Sequence, residues 1–392
     1  MNVLMVSDVY FPRINGVSTS IETFTSCLSE LDVKVSLIAP SYEKQAASDS
    51  ESDRVTRIPS RQVPLDPEDR FMSYKKIVQH GASLKRGDFD VVHIQTPFVA
   101  HYAGVHLARR LDVPVIATYH TFFEEYLYHY VPALPKSWTR GLARRFSRGQ
   151  CNTLDGVIVP STAMRERLGA YGVTVPLHVL PTGIPLARFS SGDGRAFRER
   201  HDIPLDAHVC LFVGRVAHEK NIRFLLQAAL RARNEMSEIF WLITGEGPAL
   251  ASLKREVAAL GLSRNVRFLG YLDRSRELID CYAAADAFVF SSVTETQGLV
   301  LLEAMAMGVP VVALSAMGTA DILASRRGAV VPENDPVDFA RCLVALFKDK
   351  ERHARLSAEA RVFAQEWSDI AMARRLKTLY ETLREQHSRR LA

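Results

Sequence analysis

Residues 294–313 read TETQGLVLLEAMAMGVPVVA, and the fold follows from them. Just before them the apolar run Ala287-Phe288-Val289-Phe290 has the length and composition of a buried strand. Polar Ser291 to Gln297 then make a loop and Gly298 to Met307 a helix, stopped by Gly308 and Pro310, with a second buried strand at Val309 to Leu314. Such a unit belongs to a parallel sheet. Its loop lies at the carboxyl end of a strand, and its helix aims free N–H groups and the positive end of its dipole at whatever binds there, which favours phosphate. Glu295 is in the loop and Glu303 more than a turn into the helix, with seven residues between them. The two carboxylates could therefore grip separate parts of one elongated ligand, each accepting a pair of hydroxyls. Helix glutamates usually sit on solvated faces. Glu303, however, stands among Leu299, Val300, Leu301, Leu302, Ala304, Met305 and Ala306, and a carboxylate buried there needs partners.

The same alternation runs outward through the chain. Asn2 to Ser7 are nearly all apolar, as in a central parallel strand covered on both faces. A loop, DVYFPRINGVS, leads to a helix from about Val17 to Leu31, and Asn15-Gly16 in it permits a tight turn and close backbone approach to a ligand. This is not the three-glycine dinucleotide fingerprint. Further strands are expected at Val33 to Ala39, Val91 to Gln95, Val113 to Thr118, Gly156 to Pro160 and His178 to Leu180. His120 follows the strand that ends at Thr118, again at a carboxyl end where ligand groups gather. After LPTGIPLARF the pattern restarts: Val209 to Val213 form a strand, GRVAHEKN a loop and Asn221 to Arg233 a helix. Arg215 and Lys220 in that loop suit a diphosphate, one as a planar bidentate donor and the other as a flexible point charge near a helix start. Strands at Phe240 to Thr244 and Val266 to Leu269 follow, and from Asp338 the chain reads as helices, with Met372, Leu376, Leu379 and Leu383 on one apolar face. The expectation is α/β, with two Rossmann-like doubly wound domains facing a cleft: residues 1–185 with a terminal helix at about 368–392, and residues 186–367.

Composition narrows the function. The chain has 392 residues, 47% of them hydrophobic, with 49 basic against 44 acidic side chains, a surplus of +5 that is too small to imply nucleic acid. Five scattered cysteines, at 27, 151, 210, 281 and 342, form no Cys-x-x-Cys pair, which argues against disulfides or a zinc site and fits a reducing compartment. The start MNVLMVSDVYF reads as a first strand and not as a signal peptide. No apolar run is long enough to span a membrane, so any membrane contact is expected to be peripheral.

One stretch concentrates positive charge. In ALPKSWTRGLARRFSRGQ, residues 133–150, Lys136, Arg140, Arg144 and Arg148 recur every fourth residue, and Leu134, Trp138, Leu142 and Phe146 recur at the same interval offset by two. On a helix these rows take opposite faces. With Arg145 the stretch carries five cations and no acid. A core-facing helix with a solvated basic side shows this pattern, and so does an amphipathic anchor on an anionic membrane surface. The two differ in where the apolar face goes.

These marks resemble those of the retaining glycosyltransferases of family 4, which have the GT-B fold with a last helix crossing back to the amino-terminal domain. The resemblance covers nearly the whole chain. It implies that Glu295 contacts the donor sugar, Glu303 the ribose hydroxyls, Arg215 and Lys220 the donor diphosphate, and His120 the sugar near its 6-hydroxyl. It also places the nucleotide base near Gly245 and Tyr271, and Gly16, Thr296, Gln297, Gly298 and Leu299 around the donor. The amino-terminal domain would take the acceptor. The runs TYHTFFEEYLYHY and TETQGL are similar to those of bacterial enzymes that glucosylate diacylglycerol, most of the family having phenylalanine in place of Gln297. A second departure is Pro185, where an aspartate is usual. The implied donor is a nucleotide sugar, UDP-glucose first among them, and the implied acceptor a lipid, diacylglycerol, at the inner face of the cell membrane. No cofactor is expected to be required, and mild stimulation by Mg2+ is the most foreseen. A family member with a soluble acceptor would share every donor residue, and a nucleotide-sugar 2-epimerase would share the two-domain fold.

Overall fold

The computed structural model describes residues 1–13, 15–42, 54–63, 66–120, 136–274 and 276–391, with backbone alone at 63, 66–69, 136–140 and 391. Two compact units make up the chain: Met1–Gly183 with Asp369–Ala392, and Ile184–Ser368.

The first unit holds β1 (Asn2–Val6), β2 (Lys34–Pro40), β3 (Val55–Ile58), β4 (Ser60–Val63), β5 (Asp66–Met72), β6 (Val91–Ile94), β7 (Val115–Thr118), β8 (Gly156–Val159) and β9 (Leu177–Val179). Seven of them form a sheet in the order β3-β2-β1-β6-β7-β8-β9, every pairing parallel. Every residue of β6 and β8 is buried, which is why these strands, His93 apart, read as apolar runs without alternation. Edge strand β3 and the antiparallel hairpin β4–β5 were not expected, because their sequences VTRI, SRQV and DPEDRFM carry no apolar run. The last helix, Asp369–Leu391, belongs to this unit and packs Met372, Leu376, Tyr380 and Leu383 into the core that Ile21, Phe24 and Leu28 of the helix Gly16–Glu30 also enter.

The second unit holds β10 (His208–Val213), β11 (Ile239–Thr244), β12 (Val266–Gly270), β13 (Ala287–Phe290), β14 (Val311–Ala313) and β15 (Ala329–Val330), all parallel, in the order β12-β11-β10-β13-β14-β15. All six residues of β11 are buried, Trp241 at 2% exposure among them. Each sheet reverses its strand order once, between β1 and β6 in the first and between β10 and β13 in the second. Open α/β sheets bind ligands at the carboxyl ends of the strands flanking such a reversal.

Candidate active site

In the second unit the loops that leave β10 and β13 carry the residues singled out from the sequence. Lys220 ends a short 3-10 turn, His218–Lys220, and its ammonium donates to Glu295 Oε2 at 2.5 Å. The two loops are stitched together: the Ser291 hydroxyl donates to the carbonyls of Asn221 (3.0 Å) and Lys220 (3.3 Å), and the Asn221 amide donates to the Ser291 carbonyl (3.4 Å). Arg215 lies in the first of these loops with its side chain exposed and making no hydrogen bond or ion pair among the described residues. One loop thus presents a free guanidinium, while its ammonium is neutralised by a carboxylate.

The helix after the second loop runs Leu299–Ala306, one residue shorter at each end than the sequence pattern suggested. Gly298 is its N-cap at φ 88°, a left-handed conformation that only glycine takes cheaply. Thr296 and Leu299 are half-buried beside it, and Gln297 is buried at 8%. Glu303 is buried at 4% exposure, as its apolar neighbours led us to expect. Two donors hold its carboxylate: the Tyr282 hydroxyl at 2.7 Å on Oε2 and Arg274 Nη2 at 2.9 Å on Oε1. Tyr282 is itself fully buried, and burial together with the Glu303 charge pushes its phenol well above the usual tyrosine range. It donates its proton and keeps it. Each carboxylate oxygen has a second lone pair, so Glu303 can still accept a pair of hydroxyls from a ligand.

Gly245 follows β11, whose pairing with β12 shifts register between Ile243 and Thr244, an irregularity of the kind that re-aims residues beside functional sites. The Gly245 amide donates to the Gly270 carbonyl at 2.7 Å. Tyr271, next in sequence, is 66% exposed.

In the first unit, Asn15-Gly16 is not the tight turn expected. Asn15 is an N-cap whose side chain accepts from the Ser18 amide at 2.9 Å, and Gly16 is the first helical residue, exposed, with nothing within 4 Å of where a Cβ would sit. Beyond β1, buried Asp8 accepts from Thr96 Oγ1 (2.8 Å) and from the Ala100 amide (3.0 Å), capping the helix Val99–Leu111, and burial pushes its carboxyl up to about 6. His120, beyond β7, shares a hydrogen bond of 3.0 Å between its Nε2 and Gln95 Oε1, and burial pulls its ring down to about 4. The rest of TYHTFFEEYLYHY, from Thr121 on, lies outside the described residues.

The basic stretch forms the helix Lys136–Cys151. The side chains of Lys136, Trp138 and Arg140 are outside the described set, and so is Leu134. In the remainder the inward face is neither of the two rows: it is Ala143 (0% exposed), Ser147 (1%), Gln150 (9%) and Cys151 (4%). Their spacing of i, i+4, i+7 and i+8 makes one stripe. Leu142, about 100° to one side of Ala143 on a helix, is 55% exposed. Arg144, Arg145 and Arg148 are exposed on the other sides, with the Arg144 guanidinium 5.4 Å from the Tyr171 ring centre. Between this helix and Val99–Leu111 lies a cavity of about 480 Å³ lined by Tyr102, Arg109, Arg145 and Phe146 among others, with no acidic side chain among the described residues of its wall.

Two family models match the chain, "Glycosyltransferase Family 4" over residues 14–188 and "Glycosyl transferases group 1" over residues 193–363. An alpha-monoglucosyldiacylglycerol synthase of Streptococcus pneumoniae is 34% identical over 319 residues, covering 80% of this chain and 71% of that one. The chain belongs to the family 4 glycosyltransferases. A GDP-mannose-dependent alpha-mannosyltransferase of Mycobacterium tuberculosis is 29% identical to this glycosyltransferase, over 94% of this chain and 93% of the other. Its fold is also that of the Anabaena protein HepE, solved in complex with UDP, at a TM-score of 0.76 and 16% identity over 97% of this chain and 100% of that one. The glycosyltransferase match removes the sugar-epimerase alternative.

Four residues of this glycosyltransferase escaped sequence reasoning. Arg274 and Tyr282 hold Glu303 from a separate segment, and no local pattern ties them to it. Gln95 holds His120 from a neighbouring strand. Gly318 donates its amide to the Glu295 carbonyl at 2.8 Å and packs so closely that a Cβ there would collide with the Thr296 backbone. A glycine in the loop SAMGT was its one visible signal.

Proposed function

We propose that this glycosyltransferase moves a hexose from a nucleoside-diphosphate sugar, UDP-glucose first among the candidates, to diacylglycerol at the inner face of the cell membrane, with retention of configuration. The unit Ile184–Ser368 takes the donor. Glu303 accepts the ribose hydroxyls, Glu295 contacts the sugar, and Arg215 and Lys220 hold the diphosphate with the backbone from Thr296 to Leu299. Gly245 and Tyr271 are assigned to the base and Gly16 and His120 to the donor as well, and the unit Met1–Gly183 takes the acceptor. Support for the donor roles comes from the loops at the strand reversal, where a free arginine and a displaceable lysine stand together.

As the sugar leaves, the bond from its anomeric carbon to the diphosphate breaks and the electron pair goes with the diphosphate. Arg215, Lys220 and the amides around Gly298 stabilise that charge, and no metal is required, with Mg2+ at most a mild stimulant. The acceptor hydroxyl forms its bond from the face the diphosphate leaves, and its proton passes to a diphosphate oxygen. Retention is supported by the α linkage in the names of both curated relatives.

The observation that carries the lipid acceptor is Leu142: it stands 55% exposed on a helix whose inward face is made of other residues, with Arg145 exposed three residues on and Arg144 and Arg148 exposed farther round the helix. An exposed apolar side chain at the border of a basic helix face suits an anionic bilayer, and the Streptococcus relative is named for a diacylglycerol product. Among the described residues no helix is long and apolar enough to cross a membrane, so the contact would be peripheral. The test is incubation with UDP-glucose or GDP-mannose and diacylglycerol vesicles, with and without EDTA, followed by mass spectrometry of extracted lipid. A glucosylated lipid formed in EDTA is expected; metal-reversible loss of all activity would overturn the metal-free mechanism. The Mycobacterium relative favours a second reading, in which GDP-mannose is the donor, and mannosylated product in the same assay would establish it.

A further inference from the structure

Gln95 follows β6, and His120 lies two residues past β7, its parallel neighbour, so the sheet sets the two side chains side by side. Gln95 is 4% exposed. Its amide makes two contacts, 3.0 Å from Oε1 to His120 Nε2 and 3.6 Å from Nε2 to Met5 Sδ. The direction of the amide follows from chemistry. A thioether sulfur can only accept, so the NH2 group faces Met5 and the carbonyl oxygen, which has only lone pairs, faces His120. His120 Nε2 must then be the N–H. Burial leaves the ring neutral at neutral pH, with its pKa down to about 4, and the adjacent His93, down to about 3 and held by Tyr380 (2.6 Å) and Thr118 (2.7 Å), is neutral as well. A neutral ring with its proton on Nε2 has a lone pair on Nδ1. Nδ1 makes no hydrogen bond among the described residues.

We infer that Gln95 is a positioning residue that locks the His120 ring with Nε2 protonated, so that Nδ1 accepts a hydrogen bond from a hydroxyl of the transferred sugar. This rests on the proposal above that His120 meets the donor sugar. Without Gln95 the ring can turn over and present an N–H where the sugar needs an acceptor. Gln95→Leu removes the lock, whereas Gln95→Glu keeps an acceptor for the Nε2 proton.

Two measurements test this, on the full chain with whichever of UDP-glucose and GDP-mannose it turns over. Nitrogen-15 NMR of histidine-labelled protein, with the His120 signals assigned by their loss in His120→Ala, is expected to show Nε2 protonated and Nδ1 bare. In the kinetic arm, Gln95→Leu should lower kcat/KM for the sugar nucleotide about tenfold in wild type and not at all in the His120→Ala background, as expected for a pair that acts as one unit. Gln95→Glu should recover most of the loss, and affinity for UDP alone should be unchanged in every variant. Equal losses from Gln95→Leu in both backgrounds, or a bare Nε2, would overturn the positioning role alone. An undiminished His120→Ala enzyme would instead overturn the contact between His120 and the sugar.

Discussion

The ammonium of Lys220 lies 2.5 Å from Glu295 Oε2, and each of the two side chains is 20% exposed. Two groups that the proposed function assigns to different parts of the donor, diphosphate and sugar, are paired with each other in this structure. Under the proposed function a diphosphate has to take Lys220 from Glu295, and in doing so it frees the carboxylate for the sugar.

Glu295→Gln should therefore leave UDP affinity undiminished or tighten it by about 1 kcal/mol, since the competing charge is gone, while turnover falls by about a hundredfold. Lys220→Met should weaken UDP by about 1.5 to 3 kcal/mol, the range for hydrogen bonds to charged groups. Calorimetry and initial rates separate the two. Substantially weaker UDP binding by the Glu295 variant would mean the pair binds the diphosphate as a unit.

Glu303→Gln removes a charge-assisted acceptor for the ribose and should cost about 1.5 to 3 kcal/mol of nucleotide affinity. Tyr282→Phe leaves the carboxylate one donor short in a buried site, so it should cost about 1 to 3 kcal/mol of stability and weaken the nucleotide without removing any ligand contact. Thermal unfolding and calorimetry read both. Unchanged nucleotide affinity in the Glu303 variant would rule out its ribose role.

Acid should destabilise the first unit. His93 has its pKa lowered to about 3, His101 and His120 to about 4, all by burial. The unfolded chain, near 6.5, then binds more protons than the folded one between about pH 4 and 6.5, so stability is lost as pH falls through that window, by about 2 kcal/mol per such histidine at pH 5. Asp8, raised to about 6, works the other way: its folded form holds the extra proton between about pH 4 and 6, and stability there rises on acidification. Three histidines outweigh one aspartate. Urea midpoints should fall from pH 7 to pH 5, and less steeply in His101→Gln; a midpoint that rises over this range would contradict the balance.

Reversing Arg144, Arg145 and Arg148 to glutamate should reduce partitioning onto anionic vesicles by about 3 kcal/mol or more, over a hundredfold, at about 1 kcal/mol per basic side chain. Leu142→Ser should lower it further without changing the unfolding midpoint, because Leu142 is already 55% exposed. Flotation on anionic and zwitterionic liposomes, alongside donor hydrolysis in solution, tests both variants. Wild-type partitioning by the triple variant would leave the helix a solvated surface element.

The sheets and their ligand edges were legible in the residues because parallel strands covered on both faces must be nearly all apolar, as β1, β6, β10 and β11 are, each with a single polar residue, and because glycines and prolines mark where those runs end. Glu303 could be read as buried for the same reason, from its apolar helix. Strand β3 and the hairpin β4–β5 could not, since edge strands bury little and keep polar sequences. The basic helix shows the limit most clearly. Its periodicity identified two opposed rows, yet the side turned inward is Ala143, Ser147, Gln150 and Cys151, small and polar residues that no hydrophobic pattern selects.

What the sequence by itself determined was therefore the kind of fold, the family and the identity of the charged groups, since these depend on local periodicity and on short motifs. Only the tertiary structure decided which groups meet. Glu303 owes its donors to Arg274 and Tyr282, His120 its orientation to Gln95, and Lys220 its neutralising carboxylate to Glu295, 75 residues away. The pairings of His120 and Lys220 are made beyond the carboxyl ends of neighbouring strands, and that of Glu303 between the elements that follow β12 and β13, which two other strands separate in the sheet; a chain read in one dimension carries no local signal of contacts that distant.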